Sequence, residues 1–74
     1  MQNMLTKQET EFFDVVPVGD LWKIRGTDGR TLLTVPSQKA ALDLAWTAAM
    51  EHRPAKARLL NAGGTVEKEW GYPA

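Results

Sequence analysis

The chain has 74 residues, 43% of them hydrophobic, which is enough for one small domain but not for two. It contains no cysteine, which excludes disulfides and thiolate metal sites and makes the cytoplasm the expected compartment. Nine basic residues balance nine acidic ones, so the chain lacks the positive excess with which most nucleic-acid-binding proteins hold phosphates.

The first ten residues are predicted to form a flexible tail that precedes a single domain. Residues 1–10 have neither a long apolar run nor a small-residue cleavage pattern, so they do not resemble a signal peptide. No stretch of the sequence approaches the roughly 20 apolar residues of a membrane-spanning helix. Residues 11–74 are therefore expected to form one domain with no membrane contact.

Three strands are predicted after the tail. The segment "EFFDVVPV" (11–18) is rich in aromatic and β-branched residues, and "LWKIRG" (21–26) alternates apolar with basic side chains. Gly19 supplies the backbone angles that a tight turn between these two strands requires. The third strand, "TLLTV" (31–35), follows the turn "TDGR".

A helix follows the third strand. Pro36 ends that strand, and Ser37 is a predicted N-cap because its hydroxyl can accept from the free amides of a first helical turn. Pro54 disfavours helical angles at the residue before it, so the helix should run from about Gln38 to about Arg53.

A second hairpin closes the chain. The segments "KARLLNA" (56–62) and "TVEKEW" (65–70) are joined by two glycines, which is typical of a hairpin turn. The element order is thus β-β-β-α-β-β with short connections. This order predicts an α+β fold in which one helix packs across one face of an antiparallel sheet.

The predicted helix carries its small side chains on one stripe. At about 100° per residue, this stripe contains Ala41, Leu42, Ala45, Ala48 and Ala49. The residues expected beneath it on the sheet are Trp22, Ile24, Leu59 and Val66. Trp46 and Met50 lie roughly 110° and 150° from the middle of the stripe, next to Lys39 and Asp43.

The segments described so far resemble a known family. The resemblance lies in "VVP" (15–17), "LWKIRG" (21–26), "SQKAALDLA" (37–45) and "GGTVEKEWGY" (63–72), taken in that order and spacing. Together they are similar to the DUF2188 family of small bacterial proteins over nearly all of residues 13–72. The resemblance implies a sheet-and-helix fold, and it implies no activity because none is established for the family.

Two positions depart from the pattern of that family. Asp14 stands where the family often has histidine, and Gly63 stands where it often has aspartate. The departures weaken any claim that these two positions bind a ligand in this chain.

The sequence does not predict an enzyme. His52 lies in the last helical turn, where a polar or cationic ring suits the negative end of the helix dipole, and no nucleophile or orienting group accompanies it. Glu67 and Glu69 share one face of a strand, but basic side chains on neighbouring strands can pair with them. With one histidine and scattered carboxylates, neither a metal nor a cofactor is predicted.

Two binding functions remain. If Trp46 and Met50 are exposed, they form with Lys39 and Asp43 a protein-binding patch on the helix, and the partner is another protein or a second copy. If Trp46 instead covers the edge of the core, Met50 is an ordinary surface residue. The alternative function is nucleic-acid binding by a basic face of the open sheet. Its residues would be Lys23, Arg25, Arg30, Lys56 and Arg58.

Overall fold

The computed structural model describes residues 9–74 as a five-stranded sheet with one helix packed on one face. The elements are β1 (Glu11–Val18), β2 (Leu21–Arg25), β3 (Thr31–Val35), α1 (Gln38–Glu51), β4 (Ala55–Leu60) and β5 (Val66–Tyr72). The predicted α+β class and the order of elements are confirmed. Residues 1–8 of the predicted tail lie outside the described part of the chain.

The sheet is mixed, and the prediction of a purely antiparallel sheet is wrong. Its strand order is β3-β2-β1-β4-β5. The pairs β1–β2, β2–β3 and β4–β5 are antiparallel, whereas β1 and β4 run parallel, with Val15 opposite Leu59. A parallel neighbour requires a crossover connection, and α1 supplies it by returning the chain across the sheet before β4 begins.

The core between α1 and the sheet is built around alanines. Ala41, Ala45 and Ala49 of the helix are fully buried. The buried sheet residues opposite them are Phe13, Val15, Ile24, Ala55, Ala57 and Leu59. Because the buried side chains of the helix are methyl groups, the helix can pack close to the sheet.

One residue predicted beneath the helix lies elsewhere. Val66 is exposed. A register shift between Leu59 and Leu60 sets Val66 opposite Leu60, and it therefore lies on the face of the sheet away from the helix, whereas Leu59 faces the helix. Trp70 and Tyr72 of β5 pack against the core instead. The predicted contribution of Trp22, which is partly buried against the core, agrees with the structure.

The predicted start of the helix is observed, whereas its end comes slightly earlier than predicted. Ser37 has extended backbone angles, and its hydroxyl accepts from the Ala40 N–H at 3.1 Å. The last helical residue is Glu51, and the N–H of His52 donates to the carbonyl oxygens of Ala48 and Ala49. Ser37 therefore satisfies an amide that the first helical turn leaves without an internal acceptor.

Replacing Ser37 with alanine should lower the free energy of unfolding by about 1 kcal/mol, because the Ala40 amide loses its acceptor. The measurement is urea unfolding followed by circular dichroism. Ser37→Asp is the matched control, since aspartate also caps helices, and it should stay close to wild type. Equal losses in both variants would show that the cap bond is not what Ser37 contributes.

Candidate functional site

The sheet face that α1 leaves uncovered carries a row of alternating charges. Asp14 of β1 lies opposite Arg25 of β2 on one side and opposite Arg58 of β4 on the other. Glu69 of β5 lies opposite Arg58 and ends the row. Side chains that are directly opposite share a face of the sheet, so the row reads positive, negative, positive, negative across four strands.

Asp14 is the centre of this row and is almost completely buried. Its side chain is 9% exposed, and its two carboxylate oxygens accept from Nε and Nη2 of Arg58 at 2.7 and 2.8 Å. Nη2 of Arg25 lies 4.0 Å from the same carboxylate. The Arg58 guanidinium also lies over the ring of Phe12, 4.3 Å from its centroid. This is a bidentate, charge-assisted pair with a cation–π contact on one side.

The electrostatics of Arg58 follow from this geometry. Its hydrogen bonds to Asp14 raise the pKa of Arg58 above its ordinary value, burial opposes the rise, and the negative charges of Asp14 and Glu69 add to it. The Arg58 guanidinium therefore stays charged, and the Asp14 carboxylate is engaged as an acceptor on both oxygens. The two oxygens of Asp14 are therefore both occupied by hydrogen bonds within the sheet.

The basic residues predicted for nucleic-acid binding are only partly brought together. Lys23, Arg25, Lys56 and Arg58 lie on the uncovered face, as the alternation indicated. Lys56 Nζ lies 3.6 Å from Glu69, and Arg30 is in the β2–β3 turn, where its Nε lies 3.4 Å from Asp28. Within residues 9–74, Lys23 is the one member of the set without an ion pair. Carboxylates thus neutralise most of the predicted basic face.

The helix residues predicted for protein binding lie on one flank of α1 and on its outer surface. Trp46 is partly buried and meets Trp70 of β5 edge to face, with ring centroids 5.3 Å apart. Met50, one turn later, is 47% exposed. Lys39 and Asp43 form an ion pair with each other at 3.1 Å. The indole therefore packs against β5, and Met50 is the exposed apolar member of the predicted patch.

His52 has a structural position at the end of α1. Its Nδ1 donates to the carbonyl oxygen of Ala48 at 2.8 Å, and its ring lies 5.6 Å from the ring of Phe13. The part of the chain that the structure describes contains no group of three metal-ligating side chains. Nor does any helix of residues 9–74 have the length and apolarity needed to span a membrane.

A comparison with protein families matches the chain to the model described as an uncharacterised protein conserved in bacteria, DUF2188, over residues 13–72. This range runs from the core residue Phe13 in β1 to Tyr72 at the end of β5. The chain belongs to the DUF2188 family. No curated protein and no solved structure gave a significant match. The predicted resemblance is confirmed, and the function of this DUF2188 protein must be inferred from its surfaces.

The sequence analysis missed an exposed apolar surface of the DUF2188 fold. Leu32 and Leu33 of β3 are 56% and 46% exposed, and Leu44 of α1 is 41% exposed. Leu32 lines a groove together with Ala48, and Leu44 lies one helical turn before Ala48 on the same side of α1. Leu33 lies opposite Ile24, which is buried beneath α1, so Leu33 also lies on the helix side of the sheet. We name this surface the leucine edge. The signal in the sequence was "TLLTV", a strand with two adjacent leucines and no charge.

Proposed function

We propose that this DUF2188 protein is a non-enzymatic interaction module that binds a second copy of itself. The observation that carries the proposal is the distribution of its larger apolar side chains. Among residues 9–74, the larger buried apolar side chains, such as Phe13 and Ile24, come from the sheet, and the helix contributes only alanines to the buried core. In contrast, the leucine edge and Met50 are exposed to solvent.

Two physical arguments favour a second copy as the partner. A domain of this size buries a small share of its surface, and association that buries more apolar area stabilises its folded state. The formal net charge of the chain is zero, so two copies approach without long-range repulsion. Self-association is therefore supported by both the apolar surface and the charge balance.

One candidate contact surface for this association is the predicted patch on the helix, which we call the helix patch and which consists of Trp46, Met50, Lys39 and Asp43. Tryptophan and methionine are enriched in interface cores, and Met50 is exposed beside Trp46. However, Trp46 already packs against Trp70, and Lys39 and Asp43 satisfy each other. The apolar area that the patch offers to a partner is therefore mainly that of Met50.

Nucleic-acid binding has less support from the geometry. A phosphate that binds Arg58 would have to displace Asp14, and one that binds Lys56 would have to displace Glu69. Among the predicted basic residues of residues 9–74, only Lys23 could bind a phosphate without breaking an ion pair. The bidentate bonds of the buried Asp14 make the first exchange costly. The basic face is therefore retained only as the less favoured function.

The solution mass tests the proposed self-association directly. The protein has a mass of 8.2 kDa, and light scattering over about a hundredfold range of concentration should show a rise towards twice that mass. The melting temperature should rise with concentration over the same range, because the dimer binds only folded copies. A constant mass of 8.2 kDa at every concentration would contradict the proposal.

A further inference from the structure

The strand order leaves β3 and β5 as the two outer strands of the described sheet. We infer that two copies of the protein join antiparallel along the outer edges of their β3 strands. The contact makes one continuous sheet, and the leucine edges of the two copies pack against each other beside it. The inference rests on the proposed self-association and names its surface.

The two outer strands of the sheet differ in charge. β5 carries Glu67, Lys68 and Glu69, whereas β3 (Thr31–Val35) carries no charged residue. Charged side chains are a common means by which proteins prevent outer strands from pairing with other chains. Both outer strands contain one register irregularity, so the charges are the difference between the two edges: β5 carries them and β3 does not.

The symmetry of a two-copy contact makes this difference decisive. In a two-fold contact each surface meets its own equivalent, so a charged edge tends to place like charges close together. Residues 67–69 would oppose such pairing on β5. On β3 the side chains that would face each other are threonine, leucine and valine, which carry no charge and therefore do not repel one another.

The backbone of β3 has hydrogen-bonding capacity to offer. Its inner edge pairs with β2, where Lys23 lies opposite Thr34 and Trp22 lies opposite Val35. Within residues 9–74 no strand pairs with its outer edge, so the outward N–H and C=O groups bond to no other strand of the described sheet. A second β3 would provide partners for these groups.

Packing at the contact follows from the position of Leu33. It lies opposite Ile24, which is buried beneath α1, so Leu33 is on the helix side of the sheet. With the two-fold axis at Leu33, the two copies of this residue meet at the centre of the contact. A register shift between Ile24 and Arg25 leaves Leu32 without an opposite residue in β2, and Leu32 lies on the helix side with Ala48. Leu32 and Leu44 of each copy therefore extend the apolar layer on either side of this centre.

Two substitutions, at residues of nearly equal exposure, test whether this surface forms the contact. Leu33 and Met50 are 46% and 47% exposed, so Leu33→Lys and Met50→Lys introduce the same charge at matched apolar positions. Leu33→Lys puts two ammonium groups together at the two-fold axis and should raise the dissociation constant of the dimer by about 100-fold. Met50→Lys should change it by no more than about twofold, since a charge outside the contact has little effect. Sedimentation equilibrium measures both constants.

The outcomes separate this inference from the proposed function. A dimer weakened by Met50→Lys and not by Leu33→Lys would overturn the β3 contact and place self-association at the helix patch. Equal weakening by both variants would also overturn the inference. A wild-type protein that stays monomeric would overturn the proposed function together with the inference. Circular dichroism of each variant establishes that it is folded.

A second measurement uses the unmodified chain. Hydrogen exchange of the wild-type protein should slow at the amides of β3 as its concentration rises, because pairing with a second copy protects them. The amides of β5 should gain only the smaller protection that the rise in global stability gives to every amide. Concentration-dependent protection in β5 or α1, with β3 unchanged, would overturn the inference without any substitution.

Discussion

Replacing Asp14 with alanine should lower the free energy of unfolding by about 3 kcal/mol, because the substitution leaves two guanidinium groups without their carboxylate. Arg58 would lose both oxygens of a bidentate pair, and Arg25 would have no other ion-pair partner within residues 9–74. Solvent reaches part of both arginine side chains, which places the expected loss at the lower end of the range for buried pairs. The midpoint of thermal unfolding should fall by roughly 15 °C.

The uncovered face provides a matched control for this prediction. Glu69 is also a carboxylate paired with a basic residue, but both it and Lys56 are exposed. Glu69→Ala should therefore cost less than about 1 kcal/mol. If the two alanine substitutions destabilise the protein equally, the buried position of Asp14 does not contribute to stability. Chemical denaturation of both variants gives the comparison.

Replacing Ala45 with leucine should also lower the free energy of unfolding by about 3 kcal/mol, at the upper end of the usual range for overpacking. Ala45 is fully buried at the middle of the helix, against a sheet layer that includes Val15 and Ile24. The added isobutyl group would separate α1 from the sheet or force these neighbours away from their preferred rotamers.

Thr47→Leu controls for the effect of a new leucine on the exposed side of the same helix. Thr47 is exposed on the same helix, so a leucine there adds a similar side chain without entering the core. This variant should be about as stable as wild type, within roughly 0.5 kcal/mol. An Ala45→Leu protein as stable as Thr47→Leu would show that the space between helix and sheet is larger than the alanine stripe indicates. Thermal unfolding by circular dichroism measures both.

The features that could be predicted from sequence are those set by neighbouring residues. Ser37 as N-cap and the alanine stripe depend on the helical repeat, and both are observed. The turn at Gly19 depends on a positive φ, which is 59° in the structure. Each of these signals lies within a few positions of the feature that it specifies.

The features that were missed depend on which strands become neighbours. The parallel pair of β1 and β4 follows from the path of α1 across the sheet, and no local pattern specifies that path. Val66 was assigned to the wrong face because one register shift exchanges the two faces of a strand. The alternation of side chains in the sequence therefore predicts which face of the sheet a residue lies on only up to the first register shift in its strand.

The same distinction applies to the candidate site. Alternation correctly placed Lys23 and Arg25 on one face and Lys56 and Arg58 on one face. It did not show that β1 lies between these two strands, so it did not show that Asp14 neutralises Arg25 and Arg58. The leucine edge was missed because the outer position of β3 is a property of the whole sheet.

The parallel pair in the middle of the sheet has a consequence for the order in which the protein folds. β1, β2 and β3 can form by two short turns, and β4 and β5 by another, but joining the two groups brings together Asp14 and Arg58, which are 44 positions apart. Closing so long a loop is the slow part of assembly for a small domain. During synthesis, β1 therefore leaves the ribosome well before β4 is available, and one edge of the central strand stays unpaired until the second half of the chain is made.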